Sequence, residues 1–268
     1  MRRAFANSVK RMQTLRSAPP AICEQPIDRF VADVLPSEVS EVARLRLREL
    51  AQPVSAIGGE AVFSPCTRSR IVHIAHGSVR LVAHASEQRD QVLSFHFAGD
   101  LVLVPARAAH GYTLYALGAC EMVAFAADPL FELARSDAAL GHELLTRTLR
   151  ALARSREKTI ALGRKTAQER VASFLVGMAE RIGVPDDEGC LLDLPMTRRD
   201  IADSLGLTIE TISRQLGELR DAGLLATSGR SRIRLLDLPG LAARAGHLPA
   251  GHLSAGHLSA GALTKSSI

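Results

Sequence analysis

Residues 196 to 225, "MTRRDIADSLGLTIETISRQLGELRDAGLL", decide the fold of the C-terminal part of this chain. Thr197 is followed three residues later by Asp200, the spacing of a capping box at the start of a helix. Gly206 tolerates the positive φ that a short turn between two crossed helices requires. Thr208 is placed to cap a second helix. The stretch therefore predicts a helix, a tight turn and a second helix.

The second helix carries two different faces. At 100° per residue, the apolar side chains share one face: Ile212, Leu216 and Leu219. The opposite side and its flank carry a different set: Glu210, Ser213, Arg214 and Gly217. A carboxylate that accepts from cytosine, an arginine that donates to guanine and a small hydroxyl are what a helix needs to read a DNA major groove. An ion pair between Glu210 and Arg214 on a solvated face is the alternative interpretation.

The residues after this helix predict a β-hairpin. Gly223 is expected to end the helix, and "LLATSGRSRIRLLD", residues 224 to 237, reads as strand, Ser-Gly turn and strand. The pattern is typical of the wing of a winged helix-turn-helix. Contacts to DNA phosphates, which supply affinity without sequence information, are predicted for the wing residues Arg230, Arg232 and Arg234. The same contacts are predicted near the two helix N-termini, for Thr197, Arg198, Arg199, Thr208 and Thr211.

The preceding residues change their periodicity along the chain. From about residue 53 to 125, short alternating runs separated by Gly, Pro, Ser and Asp predict a β-rich domain. From Asp137 to Gly163 the apolar period becomes helical. A seam on this long helix predicts dimerisation through Leu145, Leu149, Leu152 and Ile160. A hinge at Gly163, a further helix that ends at Gly183 and a loop over 185–189 are expected next.

Composition bounds the class of protein. The 268 residues suffice for one large or two ordinary domains, and the net charge of +5 permits an anionic partner without identifying one. No apolar run reaches the length of a membrane span, and the basic N-terminus has no signal-peptide core, so a cytoplasmic protein is predicted, with a transit peptide as the alternative. The sequence shows no catalytic motif that would predict an enzyme.

Three segments together resemble the Crp/Fnr family of bacterial transcription regulators, within it the FNR branch. They are the opening stretch, "AQERVASFL" at 167–175 and "FHFAGDLV" at 95–102. The resemblance implies an α+β fold: an N-terminal β-roll, which is a jelly roll of the cyclic-nucleotide-binding kind, a long dimerisation helix and a C-terminal winged helix-turn-helix. The expected domains are a flexible basic tail over 1–24, the β-roll sensor over 25–135, the dimerisation helix over 136–163, the DNA-binding domain over 164–240 and a low-complexity tail over 241–268.

The same resemblance implies a function. In FNR-like members, the residues that correspond to Glu210, Ser213 and Arg214 read a TTGAT half-site. A homodimer is therefore expected on a palindrome similar to TTGAT-N4-ATCAA, with double-stranded DNA and RNA polymerase as partners and activation as the commoner mode. A redox, gas or small-molecule signal at the β-roll would control it.

The identity of that signal is left open by the sequence. The [4Fe–4S] cluster of FNR itself uses three close N-terminal cysteines and a central one, whereas this chain offers Cys23 and the central Cys120, with Cys66 as a further candidate. Cyclic AMP is disfavoured because Asp100 replaces the ribose-binding glutamate and only Arg107 remains for the phosphate. No cofactor is therefore predicted.

Other sensing modes and other classes are kept as alternatives. Haem or nitric oxide sensing has as candidate ligands His73, His76, His84, His96 and His110. Redox chemistry at Cys190, in the loop ahead of the helix-turn-helix, and constitutive DNA binding are also compatible. The rival classes are a cyclic-nucleotide-binding regulatory module and a cupin-like metal enzyme. The spacing of His73 and His76 disfavours the metal enzyme, because residues three apart lie on opposite faces of a strand.

The C-terminal tail repeats "AGHLS"-like units of five residues from 245 to 264. Its histidines recur at the same period, at His247, His252 and His257. Neither a helix nor a strand gathers side chains at that spacing on one side, so a disordered tail is predicted and metal binding is the alternative.

Overall fold

The computed structural model describes residues 25–64, 67–86, 89–106, 110–229 and 231–246. The tail predicted over 1–24, with Cys23, and residues 247–268 of the tail predicted over 241–268, with the histidines of the repeat, lie outside these ranges, as do Cys66, Arg107 and Arg230. The predicted boundary after residue 240 is wrong, because a helix continues to Arg244 and Leu241 and Ala245 are buried. None of the helices within the described ranges combines the length and apolarity that a bilayer crossing requires.

The N-terminal domain is a β-roll of two four-stranded sheets, in which neighbouring strands pair in antiparallel fashion. Its strands are β1 (Gln52–Ala56), β2 (Ala61–Phe63), β3 (Arg70–His76), β4 (Ser78–Ser86), β5 (Arg89–Phe97), β6 (Leu101–Val104), β7 (Gly111–Ala116) and β8 (Cys120–Ala126). One sheet has the order β1-β8-β3-β6 and the other β2-β7-β4-β5. This arrangement confirms the predicted fold class.

Two helices that the sequence analysis did not predict cover one face of the roll. They are α1 (Pro26–Val34) and α2 (Glu41–Leu50), in the part of the expected sensor domain that precedes the first predicted strands. Val72 and Ile74 of β3 face the core between the sheets, whereas Ile71 packs into a second core with Phe30 of α1. Strand β3 is therefore buried on both faces, which explains its nearly continuous apolar run.

A pair of helices leads from the roll to the C-terminal domain. After α3 (Ala127–Ser136), the long helix α4 spans Ala138–Arg164 and is capped by Asp137, which accepts from Leu140 N and from Ser40. Gly163 lies inside α4, so the predicted hinge there is wrong. The break comes at Lys165, because Thr166 and Glu169 form a capping box that starts α5 (Ala167–Ile182).

The C-terminal domain is a winged helix-turn-helix preceded by a hairpin. Its elements are β9 (Val184–Asp186), β10 (Gly189–Asp193), α6 (Arg198–Leu205), α7 (Ile209–Asp221), β11 (Leu225–Ser228), β12 (Arg232–Leu235) and α8 (Leu238–Arg244). The strands form one sheet of order β11-β12-β10-β9. The loop predicted over 185–189 is instead the turn and flanks of a hairpin in which β9 pairs with β10. Strand β10 pairs on its other side with the wing strand β12.

The two domains share one apolar core. Val92 and Phe95 of β5 belong to the same buried cluster as Leu175 of α5 and Ile201 of α6. Phe95 also meets Phe174 of α5 edge to face, with 6.1 Å between the ring centroids. The DNA-binding domain is thus packed directly on the sheet that contains β4 and β5.

Candidate DNA interface and sensor residues

The helix-turn-helix is built by its caps and its glycine. Asp200 accepts hydrogen bonds from Thr197 N at 2.8 Å and from Thr197 Oγ1 at 2.7 Å, while its own amide donates to Thr197 Oγ1. Gly206 has φ 62° between the helices, a value that other residues adopt only with strain. Thr208 Oγ1 accepts from Thr211 N at the start of α7. The predicted caps and turn are confirmed.

The structure separates the two faces of α7. Ile212 and Leu219 are fully buried, while Glu210 and Arg214 are exposed and Ser213 is half-buried. The alternative interpretation paired Arg214 with Glu210. In the structure Arg214 pairs with Glu218, one turn further along the helix, with Nε 3.8 Å from Glu218 Oε1. Hydrogen bonds from its own backbone amide and from Thr208 lower the pKa of Glu210, which keeps this carboxylate an acceptor.

The N-terminal residues of the two helices meet beside this face. Arg198 Nη1 donates to Ser213 Oγ at 3.2 Å, and Arg198 and Arg199 are both exposed. Thr208 is exposed and Thr211 half-buried. Their hydroxyls lie 3.1 Å apart.

The wing divides its arginines between two environments. Arg232 is exposed, with Nε 3.8 Å from Asp193 Oδ2, and so remains accessible to a phosphate. Arg234 is half-buried and held by two carboxylates, Asp186 at 2.6 Å and Glu188 at 2.8 Å. The interpretation of Arg234 as a phosphate contact is therefore replaced by a structural role, in which it ties the β9–β10 hairpin to the wing.

The predicted seam of α4 is an apolar stripe on the surface of the chain. We call the exposed side chains of this set the α4 stripe: Leu145, Leu149, Leu152 and Ile160. Each of them is between 43 and 57% exposed, whereas Leu140 at the start of the same helix is fully buried against its own domain. Large apolar side chains grouped on one face are typical of a surface that another chain covers.

The candidate histidines occur in separate environments. His73 is buried against Phe30 and His96 bonds to Ser94 Oγ; burial lowers the pKa of each imidazole to about 4. Both ring nitrogens of His84 are engaged, by Asp90 and Thr113 at 2.7 Å. His76 and His110 are exposed. In the part of the chain that the structure describes, no three His, Cys, Asp or Glu side chains come together as a metal site.

The two described cysteines lie in different cores. Cys120 is buried in the β-roll and Cys190 in the DNA-binding domain, and burial raises the pKa of both thiols. Cys190 lies on strand β10, not in a loop as predicted, and a Cβ on Gly183 would come within 2.5 Å of its Sγ. The described thiols therefore do not form a set of ligands that fits an iron–sulfur cluster.

Asp100, the residue in place of the ribose-binding glutamate, is engaged by the protein itself. Its carboxylate accepts from Phe97 N at 3.0 Å and from Arg181 of α5 at 2.5 Å. Arg181 also lies over the ring of Phe97, 4.6 Å from its centroid. The carboxylate links the β-roll to the DNA-binding domain, and this use of Asp100 does not favour a cyclic nucleotide.

Comparisons with known proteins agree with this geometry. Residues 169–244 match the family of Crp-like helix-turn-helix domains. The chain is similar to the nitrogen fixation regulation protein FixK of Azorhizobium caulinodans, with 34% identity over 200 residues that cover 71% of this chain and 81% of that protein. It is also similar to the transcriptional activator protein FnrL of Cereibacter sphaeroides, with 32% identity over 70% of this chain and 78% of the relative.

A solved structure supports the fold. FixK2 from Bradyrhizobium japonicum superposes with a TM-score of 0.63 at 31% identity, covering 71% of this chain and 95% of that protein.

Proposed function

Because the chain belongs to the Crp/Fnr family of transcription regulators and to its FNR-like branch, we propose that it binds a TTGAT-N4-ATCAA-like palindrome as a homodimer. The regulator binds DNA in a sequence-specific manner through its winged helix-turn-helix. Acting in the cytoplasm, the dimer activates transcription by contact with RNA polymerase, and a redox, gas or small-molecule signal at the β-roll controls it.

The division of α7 into a buried and an exposed face carries the proposal. Glu210 and Arg214 project into solvent while Ile212 and Leu219 anchor the helix, so the polar residues are free to enter a major groove. Arg214 donates to guanine O6 and N7, and Glu210 accepts from cytosine N4. Ser213, on the flank, contacts an adjacent base.

Phosphate contacts add affinity around this reading face. They come from the exposed side chains Arg198, Arg199 and Arg232, and from the hydroxyl groups of Thr208 and Thr211. The hydroxyl of Thr197, which the sequence also suggested, already donates its hydrogen to Asp200 in the capping box. Arg230 of the wing has the same proposed role and lies outside the described residues. These contacts fix the orientation of the domain without reading sequence.

The homodimer is proposed from the α4 stripe. Pairing two copies of Leu145, Leu149, Leu152 and Ile160 would remove four exposed apolar side chains per chain from water. A twofold dimer then presents two reading faces to half-sites about one helical turn apart.

DNA binding by the full chain tests the proposal. Fluorescence anisotropy would compare a duplex carrying the palindrome with a scrambled duplex over a series of salt concentrations. We expect tight, salt-sensitive binding to the palindrome, and an Arg214→Ala variant that loses about 1 to 3 kcal/mol and its selectivity at the guanine.

The matched control is Arg220→Ala, an exposed arginine on the same helix that pairs with Asp221. It should bind almost as wild type does. An Arg214→Ala protein as tight and as selective as wild type would show that α7 does not read DNA in this way.

A further inference from the structure

The hairpin formed by β4 and β5 packs against the first helix of the helix-turn-helix. Its apolar side chains Val82, Val92 and Phe95 belong to the buried cluster that contains Ile201 and Leu205 of α6. A packed interface of this kind holds two domains in a defined orientation, because the apolar side chains are removed from water on both sides.

An ion pair crosses this interface at the first helix of the helix-turn-helix. Arg80 of β4 pairs with Oδ1 of Asp200, and its guanidinium lies over the ring of Tyr115, 5.3 Å from the centroid. Asp200 is buried and its Oδ2 already accepts the two hydrogen bonds of the capping box from Thr197. One carboxylate therefore joins the sensor sheet to the start of α6, and burying it without Arg80 would be costly.

The edge of the sheet contributes further polar contacts to the same interface. Strand β5 is the outer strand of its sheet, so part of its backbone lacks a strand partner. Arg181 of α5 donates to the carbonyl of Phe95 at 2.9 Å, and the side chain of Gln91 donates to the carbonyl of Asp203. Each side of the interface thus donates a side-chain hydrogen bond to a backbone carbonyl of the other side.

The long helix binds the same strand at a bulge. The register of β4 with β5 shifts between Leu81 and Val82, which leaves Leu93 without a residue opposite it. Lys158 of α4 donates to the carbonyls of Val92 at 2.9 Å and Leu93 at 2.7 Å. Strand β5 is therefore fixed to the helix that carries the α4 stripe as well as to the helix-turn-helix.

The docked arrangement leaves both functional surfaces open. Glu210 and Arg214 of the reading face are exposed while α6 rests on the hairpin, and so are Leu149 and Ile160 of the α4 stripe. Docking and DNA binding by a dimer are consequently compatible at the level of surface exposure.

We propose that the β4–β5 hairpin is the platform that holds the DNA-binding domain in its DNA-competent orientation, with the Arg80–Asp200 ion pair as the coupling contact. The inference rests on the proposed function and adds the route of its control. A signal that displaces the hairpin releases the DNA-binding domain from its fixed orientation. DNA binding then has to order the domain again, and this cost lowers the affinity for DNA. Because coupling is reciprocal, DNA also strengthens the docking.

The test compares full-length Arg80→Gln with Arg70→Gln. Arg70 is an arginine of the same roll that bonds to Gln52, away from the interface. Anisotropy with the palindrome duplex should show binding at least about fivefold weaker for Arg80→Gln, the lower end of typical coupling, and unchanged for Arg70→Gln. Hydrogen exchange without DNA should become faster at residues 198–205 and along β5, while β3 stays protected.

A second variant keeps the test decisive if Arg80→Gln does not fold. Gln91→Ala removes a different contact across the same interface and should weaken binding in the same direction. The inference is overturned if a folded variant binds the duplex as tightly as wild type, or if Arg70→Gln loses as much affinity as Arg80→Gln. Tighter binding would also overturn it, because the docked form would then be inhibitory. If wild type itself ignores the palindrome, the proposed function fails, whereas the exchange data still report the docking.

Discussion

Arg198, the first residue of α6, donates a hydrogen bond to the hydroxyl of Ser213 on α7 across 3.2 Å. A serine hydroxyl has one hydrogen to donate and two lone pairs to accept with. Since Arg198 occupies an acceptor site, the hydroxyl hydrogen stays available for a base. We therefore expect Ser213 to donate to a base acceptor, such as thymine O4 or a purine N7.

Replacing Arg198 should alter specificity as well as affinity. In Arg198→Ala, we expect the loss of one phosphate contact together with weaker discrimination, by about 1 kcal/mol, at the base pair read by Ser213. Arg199→Ala, at the exposed neighbouring position, should weaken all sequences alike. Binding to duplexes with each substitution in the half-site measures both effects. If both variants lost affinity equally for every duplex, Arg198 would not position Ser213.

The α4 stripe predicts a monomeric variant. In Leu149→Glu, a charge replaces an exposed apolar side chain in each of the two chains, so the dimer should lose about 3 kcal/mol or more, roughly a hundredfold in its dissociation constant. Sedimentation measures the oligomeric state. Val42→Glu, at an apolar position of α2 that is even more exposed, is the control and should leave the oligomeric state unchanged. A Leu149→Glu protein that remains dimeric would place the dimer contact elsewhere.

The buried thiols predict slow alkylation. Because burial raises the pKa of Cys120 and Cys190, the reactive thiolate is scarcer at neutral pH than in an exposed cysteine. Peptide-level mass spectrometry after brief iodoacetamide treatment should find both residues largely unmodified in the native protein and modified after denaturation. Rapid labelling of Cys190 in the folded chain would instead support the redox role that the sequence left open.

The two buried histidines predict a loss of stability in mild acid. Their pKa is about 4 in the folded chain against about 6.5 for a histidine in the unfolded chain, so between these values the unfolded chain binds more protons. The free energy of unfolding should therefore fall as the pH drops from 6.5 towards 4, by up to about 3 kcal/mol per histidine.

Urea titrations at pH 7 and pH 5 measure this change. A His96→Gln variant should show a smaller difference between the two pH values, whereas His76→Gln, at an exposed position, should keep the full difference. An equal pH dependence in wild type and His96→Gln would mean that His96 does not contribute.

The helix-turn-helix was predictable because its signals are local. The caps at Thr197 and Thr208 and the glycine at 206 lie within three residues of the backbone groups they serve, so spacing alone locates them. The same logic failed for Cys190 and Arg234. Their positions depend on the pairing of β10 with β12, about 40 residues further along the chain, and Pro185 and Gly189 in the sequence favoured a loop.

The interface between the domains had no local signal at all. Arg80 and Asp200 are far apart in the sequence, and each reads as an ordinary residue of a strand or of a capping box. Helix α1 was missed for a different reason: its N-cap, Gln25, makes no side-chain hydrogen bond, and its burial depends on the outer face of β3. Contacts between distant elements fix these features, and one sequence does not reveal them.

As the proposed dimer contact, the α4 stripe would also make the response of this regulator to its own abundance steep. When the stripe pairs two chains, the dimer is scarce at low concentration and grows with the square of the number of chains. While most chains are monomers and most DNA sites are empty, doubling synthesis would then raise the DNA-bound form about fourfold by mass action. Through the proposed dimer, transcription and proteolysis of the regulator would thus become inputs to its target promoters, even in a cell where the β-roll receives no signal.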